Sequence, residues 1–195
     1  MKLSGLLLGA LTLTGSSMAM AATLTVEVNQ ITANGVGASL GTVTMRDTKQ
    51  GLLVEPKLSG LPPGPHGFHV HENPNCGPGM SNGQMAAGFA AGGHFDPMHT
   101  GKHSGPHEKN GHLGDLPVLV VDKDGTATLP VLAERLKAKD VPGHALMVHA
   151  GGDNYADEPA PLGGGGPRIA CGAIKGAAKS AMAGMKHMQG MKKKM

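Results

Sequence analysis

Short runs of alternating apolar and polar residues recur along this chain and limit what it can fold into. In the first run, Leu24, Val26 and Val28 alternate with polar residues, which is the pattern of a strand with one buried face. Similar runs, bounded by turn-forming residues, predict strands at 24–28, 42–46, 52–58, 67–71, 118–121, 126–132, 145–149 and 168–174. Eight short strands of this kind predict an all-β antiparallel sandwich or barrel.

The composition favours strands and turns over helices. The sequence contains 32 Gly and 14 Pro, which disfavour long helices. Pro56 predicts an edge position or an early end for its strand, because proline cannot donate to a ladder. Asp124-Gly125 predicts a tight turn that joins the flanking strands as a hairpin.

The two ends of the chain differ from its body. Lys2, the apolar run 5–14 and the small residues around Met20 form the pattern of a secretory signal peptide, with cleavage predicted after Ala21. The last stretch is rich in Met and Lys, cannot build a core, and is predicted to be disordered. The predicted organisation is therefore a signal peptide at 1–21, a folded domain at 22–175 and a tail at 176–195.

Charge and hydropathy exclude two classes of partner. The net charge of +3 is weak and is concentrated at Lys192–Lys194, so no nucleic-acid partner is predicted. The apolar run near the N-terminus is too short for a comfortable membrane span, and no Cys follows it for lipid attachment. No membrane anchor is therefore predicted.

One stretch has no secondary-structure period. Residues 72–116 are rich in Gly, Pro and Asn, and a loop of this length in a compact domain is either functional or held in place. Metal ligation and a disulfide are the simplest ways to hold it. The only cysteines are Cys76 and Cys171, which in an exported protein most simply form one disulfide, the alternative being two buried free thiols.

The 11 histidines are unevenly spread. His69 and His71 are two residues apart in a predicted strand, so both rings lie on one face while Phe68 and Val70 lie on the other. Paired imidazoles suit copper or zinc. Further imidazoles and one carboxylate follow at His94, His103, His112, Asp115 and His149. Scattered surface histidines are the alternative, but they leave the length of the loop unexplained.

Six segments resemble copper,zinc superoxide dismutases, in the order of that family. They are GFHVHE (67–72), GGHFDP (92–97), GKHSGP (101–106), GHLGDL (111–116), ALMVHAGGD (145–153) and GPRIACG (166–172). The resemblance runs from about residue 24 to residue 174, which is nearly the whole predicted domain. It implies an eight-stranded antiparallel Greek-key barrel or sandwich of the Ig-like type, with long metal-binding and active-site loops.

The resemblance also implies a role for each site residue. Copper would be bound by His69, His71, His94 and His149. Zinc would be bound by His94, His103, His112 and Asp115, so that His94 bridges the two metals. Asp153 would link a copper-site histidine to a zinc-site histidine, and a disulfide would join Cys76 to Cys171. The catalytic residues would be His94 and Arg168, which guides the substrate.

The implied activity is the dismutation of superoxide, a small anion, to dioxygen and hydrogen peroxide. Copper would be reduced and reoxidised between Cu(2+) and Cu(+), while Zn(2+) orients His94. Bacterial members are exported, which implies the periplasm. They are monomers or homodimers, and the resemblance allows a copper-donor protein as a partner. The alternatives are a superoxide-dismutase-like copper-binding or copper-carrier protein without activity, or a scaffold. The complete ligand set and Arg168 argue against both.

Several residues fall outside the resemblance. His66, His99, His107 and His144 match no ligand position. In the tail, Met182, Met185, Met188, Met191 and Met195 surround His187, and thioethers favour Cu(I). A copper-capturing tail is one hypothesis, and a disordered basic tail is the other.

Overall fold

The computed structural model describes residues 23–175, so the predicted signal peptide and the predicted tail lie outside the described residues. The regular secondary structure of the described residues consists of strands, apart from 3-10 helical turns at Phe89–Ala91 and Pro161–Gly164. The strands are β1 (Thr23–Thr32), β2 (Gly35–Asp47), β3 (Leu52–Leu58), β4 (Gly64–His66), β5 (Phe68–His71), β6 (Gly79–Ser81), β7 (Gln84–Ala86), β8 (Leu119–Val121), β9 (Val131–Ala133), β10 (Ala145–His149) and β11 (Arg168–Ala173). Within residues 23–175, no helix is long and apolar enough to cross a membrane.

Seven strands form one curled antiparallel sheet in the order β5-β10-β11-β1-β2-β3-β9. Strands β4 and β8 form a second, two-stranded sheet, and β6 pairs with β7. The all-β antiparallel prediction is confirmed. The strands are divided differently from the prediction, because β4, β6 and β7 carry no clear alternation in their three residues each.

The inner face of the sheet carries the hydrophobic core, as the alternation predicts. Val26 in β1 lies opposite Val43 in β2, and Met45 lies opposite both Leu24 and Val54 in the flanking strands. All five side chains are buried in one cluster. Burying a side chain of this size stabilises the fold by about 1.5–3 kcal/mol.

Strand β5 separates the core from the histidines. Phe68 and Val70 pack in the hydrophobic cluster, whereas His69 and His71 face away from it and are also fully buried. On one side β5 pairs with β10, and on the other it meets the long loop through bridges from His69 to Asp115 and from His71 to His94. The edge position of β5 therefore brings loop residues beside the strand pair.

The strand predicted at 126–132 is wrong in extent and in partner. The turn at Asp124-Gly125 forms, with the Asp122 amide donating to Thr126 O at 2.8 Å. The chain then makes only a bridge from Ala127 to Leu58 before β9, which pairs with β3 rather than with β8. Pro130 lacks an amide proton and interrupts the ladder between the two contacts.

The long loop is held in place and contains a hairpin. The Cys76–Cys171 disulfide, with a Cα–Cα distance of 5.6 Å, confirms the predicted pairing and ties the loop to β11. Strands β6 and β7 are joined by Asn82-Gly83, both at positive φ. Asn-Gly is the strongest short hairpin signal, although this hairpin is not among the predicted elements.

Candidate metal centre

Four buried imidazoles converge where β5, β10 and the long loop meet. His69 and His71 come from β5, His149 ends β10, and His94 comes from the loop. One nitrogen of each ring lies within 4.8 Å of one nitrogen of every other ring in the group. The Nε2 atoms of His71 and His149 are 3.4 Å apart. Imidazole nitrogens in this number suit copper.

A second group surrounds the Asp115 carboxylate. The Nδ1 atoms of three histidines approach its oxygens, at 2.8 Å for His94, 3.2 Å for His103 and 3.5 Å for His112. The Nδ1 atoms of His103 and His112 are buried and make no hydrogen bond of good geometry among the described residues. Three imidazole nitrogens around one carboxylate are a typical zinc set.

The outer nitrogens of the rings are all used elsewhere. His71 Nδ1 donates to Gly92 O at 3.0 Å, and His149 Nδ1 donates to Gly166 O at 3.1 Å. These bonds fix the tautomer and leave each Nε2 with a lone pair that faces the group. His69 Nδ1 and His94 Nε2 are buried without partners in the described part of the chain. Buried, unpaired and convergent nitrogens fit a bound metal ion.

Asp153 links the two groups. One carboxylate oxygen accepts from His69 Nε2 and the other from His103 Nε2, both at 2.8 Å. The carboxylate also accepts from the Tyr155 amide, which fixes its orientation. An anion that holds one ring of each group couples the positions of the two sites.

Burial keeps the rings of the first group neutral. It lowers the pKa of His69 to about 3, and the neighbouring His94 lowers it further. It lowers the pKa of His149 to about 4 and that of His71 well below its ordinary value. These nitrogens therefore carry free lone pairs at neutral pH, which is the form that binds metal.

Hydrogen bonding dominates around the carboxylates. Burial alone would raise the pKa of Asp115 and Asp153, but hydrogen bonds from His103 and other rings hold both pKa values well below their usual range. Burial works against protonation of His103, yet the nearby carboxylates of Asp115 and Asp153 raise its pKa to about 9. A cation between His103 and Asp115 would replace the Nδ1 proton of that ring.

Arg168 begins β11, directly opposite His149 in the sheet register. Its Nη1 donates to Gly88 O and its Nη2 to Gly92 O, both at 2.8 Å, and the guanidinium lies 4.4 Å from the centre of the Phe89 ring. Burial lowers its pKa to about 10, so it stays charged at neutral pH. Gly92 O also accepts from His71, which places this cation beside the first group.

Two residues position the site although the sequence did not predict this role for them. Arg135 donates to the carbonyl oxygens of Pro106, Gly111 and His112, and so fixes the loop that carries His112. His66 is buried, and its nitrogens lie 2.7 Å from His149 O and Pro62 O. Neither residue has a sequence signal, since both act on backbone carbonyls that are distant along the chain.

The fold and the site together define a class: an all-β protein with two adjacent buried groups of possible metal ligands, both of which contain His94. The family model described as copper/zinc superoxide dismutase matches residues 39–174. This chain belongs to the copper/zinc superoxide dismutase family.

Bacterial relatives agree with this membership. Cu-Zn superoxide dismutase 2 of Salmonella typhimurium is 56% identical over 169 residues, which is 86% of this chain and 97% of that protein. The structure of Cu/Zn superoxide dismutase from Brucella abortus is similar with a TM-score of 0.77 and 46% identity, covering 78% of this chain and 99% of that one. The monomeric copper, zinc superoxide dismutase of Salmonella enterica gives a TM-score of 0.71 and 58% identity, covering 79% of this chain and 100% of that one.

Proposed function

We propose that this chain catalyses the dismutation of superoxide to dioxygen and hydrogen peroxide at the two ligand groups. One observation carries the proposal: His94 lies in both groups, and its Nε2 is buried without a partner among the described residues. Bound copper supplies the one-electron chemistry, and zinc, which has no redox chemistry, supplies charge and geometry.

The ligands divide between the metals according to their free nitrogens. Copper would be held by His69 Nδ1 and the Nε2 atoms of His71, His94 and His149. Zinc would be held by Asp115 and the Nδ1 atoms of His94, His103 and His112.

The compact cluster of donor atoms that includes the Asp115 carboxylate consists of His69, His94, His103 and Asp115. It contains His69 and not His112. We nevertheless assign His112 to zinc, because its Nδ1 is buried without a hydrogen bond and lies 3.5 Å from Asp115. His69 already donates its Nε2 to Asp153, so it has only Nδ1 to offer, and that atom completes the copper group.

Two residues act directly on the substrate. The Arg168 guanidinium attracts the superoxide anion, and its two hydrogen bonds to loop carbonyls hold it in place. His94 Nε2, which makes no hydrogen bond among the described residues, would give a proton to the reduced substrate, and it could carry that proton only while it does not hold copper. Asp153 acts through His69 and His103 and is a positioning residue.

The experiment that tests this function combines metal analysis with a dismutase assay on the mature protein. We expect one copper and one zinc per chain and rapid loss of superoxide. His94→Ala should abolish most of the activity and remove the ligand that the two metals would share, whereas the control His107→Ala changes an exposed ring that pairs with Glu134. Full copper and zinc content without activity would favour the copper-carrier alternative.

We also propose export to the periplasm, where residues 1–21 serve as the signal peptide and 22–175 as the folded domain. The signal-peptide pattern of residues 1–21 supports this location, and the matched relatives are bacterial. The mass of the protein recovered from a periplasmic extract tests the cleavage site, which we place after Ala21. Sedimentation of the same sample distinguishes a monomer from a homodimer. Binding of a copper-donor protein to the same sample tests that proposed partner.

A further inference from the structure

The backbone around His103 is held from two directions. The amide of the next residue, Ser104, donates to Asp115 Oδ2 at 3.1 Å, which is a contact within the long loop. The amide of His103 itself donates to Asp157 Oδ2 at 3.0 Å, and Asp157 lies 54 positions further along the chain. A carboxylate from a distant segment therefore contacts the backbone of a residue in the second ligand group.

Asp157 uses both of its oxygens in this way. Its Oδ1 accepts from the Leu162 amide at 3.2 Å, within the same loop of residues 153–163. The Gly163 amide donates to Ala156 O at 2.9 Å and closes that loop around the carboxylate. Hydrogen bonds to an ionised acceptor are stronger than neutral ones. The carboxylate thus joins the loop 153–163 to the backbone of His103.

The same loop makes two further contacts with the segment that carries His103. Asp153 Oδ1 accepts from His103 Nε2 at 2.8 Å. The Tyr155 side chain lies beside Gly105, where an added Cβ would be 3.6 Å from Tyr155 Cβ. The His103 ring is fully buried under these contacts. The loop therefore holds this ligand at its ring and, through Asp157, at its backbone.

We infer that Asp157 is a positioning residue for His103 and slows the release of zinc. The inference rests on the proposed function, which assigns His103 to zinc. His103, His112 and Asp115 are all buried, so part of the surrounding chain must move before the ion leaves. The two hydrogen bonds of Asp157 oppose separation of the loop 153–163 from His103. Groups that orient a metal ligand in this manner typically change metal affinity 10- to 100-fold.

The test measures zinc release from the mature protein, loaded with copper and zinc, into an excess of a chromogenic zinc chelator. Asp157→Asn keeps one acceptor oxygen and replaces the other by an NH₂ group that faces a backbone amide. We expect zinc to leave this variant about tenfold faster or more. Glu158→Gln is the matched control, because it removes the neighbouring, exposed carboxylate of the same loop, and it should release zinc at the wild-type rate.

Two further measurements separate positioning from a general loss of stability. With Co(II) in place of zinc, the visible absorption spectrum reports the geometry of the ligands, and it should change in Asp157→Asn but not in Glu158→Gln. Copper release into a Cu(I) chelator should keep the wild-type rate in both variants, since Asp157 contacts no residue of the copper group other than through the loop.

Wild-type zinc release or a wild-type Co(II) spectrum in Asp157→Asn would overturn the inference. Equal acceleration in both variants would assign the effect to the charge of the loop, and equal acceleration of copper release would show that the fold as a whole is loosened. Either result also overturns it. Metal content and dismutase activity of the unaltered protein are measured first, so a failure of the proposed function appears there, whereas a failure of this inference appears only in the variant.

Discussion

Arg168 shows how one side chain acquires a function from backbone contacts. Its guanidinium is held by Gly88 O and Gly92 O and packs on Phe89, so the cation is fixed and does not swing in solvent. The same contacts would also suit an arginine that only supports the loop. The two roles differ in what happens to turnover and to metal content when the charge is removed.

Arg168→Ala is expected to lower kcat/KM about 10- to 100-fold, because a fixed positive charge beside the copper group raises the capture of a small anion. Copper and zinc contents should stay at wild-type values. The measurement is the dismutation rate at several ionic strengths, and its salt dependence should weaken in the variant. Arg46→Ala, which removes an exposed arginine paired with Glu55, is the matched control. Loss of both metals from the Arg168 variant would instead point to a supporting role.

Gly163 is the residue on which the Asp153 link depends. It has a φ of +72°, and a Cβ placed there would overlap Asp153 Oδ1 and lie 2.7 Å from His103 Nε2. Only glycine combines this backbone conformation with this space.

Gly163→Ala is therefore expected to displace Asp153 and weaken zinc binding about 10- to 100-fold, the usual cost of losing a partner that orients a ligand. Competition with a chromogenic zinc chelator measures it. Gly101→Ala is the control, since Gly101 also has positive φ, at +57°, but has nothing within 4 Å of the added Cβ. Equal effects of the two substitutions would show that backbone strain, and not the contact, is responsible.

At the scale of elements, the attachment of the long loop to β11 organises the substrate side of the site. The disulfide joins Cys76 in the loop to Cys171 in β11, and Arg168 at the start of β11 bonds back to the loop. The loop and strand thus hold each other, and the guanidinium lies between them. Opening the disulfide should affect both stability and turnover.

The double variant Cys76→Ser, Cys171→Ser should lower the free energy of unfolding by about 2–5 kcal/mol, because the bridge closes a long loop in the unfolded chain. Urea denaturation of the metal-loaded protein measures this loss. We also expect a smaller kcat/KM, since Gly88 and Gly92 are less firmly placed. Unchanged stability would mean that the metal ligands alone hold the loop.

For the whole molecule, the buried imidazoles make stability depend on pH when no metal is bound. The folded-state pKa of His69 is about 3 and that of His149 is about 4, both below the ordinary 6.5. The folded protein therefore binds fewer protons than the unfolded chain in this range, and stability falls as the pH drops below 6.5. His103, with a pKa of about 9, acts oppositely: its contribution is lost as the pH rises from 6.5 to 9.

The metal-free protein should accordingly be most stable near pH 6.5 and lose about 2–4 kcal/mol between pH 6.5 and pH 5. Denaturant unfolding after dialysis against a chelator, repeated at several pH values, measures this curve. The metal-loaded protein should be flatter over the same interval, because the ligands are already held in their neutral form. A flat curve for the metal-free protein would contradict the assigned burial of these rings.

Much of the fold could be predicted from local pattern. Alternation placed β1 and β3, because a half-buried strand exposes every second residue whatever its partner is. The His69 and His71 pair was predicted on one face of β5 for the same reason. Prediction failed where only the tertiary structure selects the partner, as for β9, which leaves β8 and joins β3.

By itself, the sequence determined which chemistry the chain can perform: imidazoles and a carboxylate for two metals, one pair of cysteines, and an arginine near the second cysteine. Only the tertiary structure decided which nitrogen of each ring is free. That choice depends on carbonyls and carboxylates far away in the chain, such as Gly92 O for His71 and Asp153 for His69 and His103. A hydrogen bond to one ring nitrogen fixes the lone pair on the other, and the folded chain alone supplies that partner.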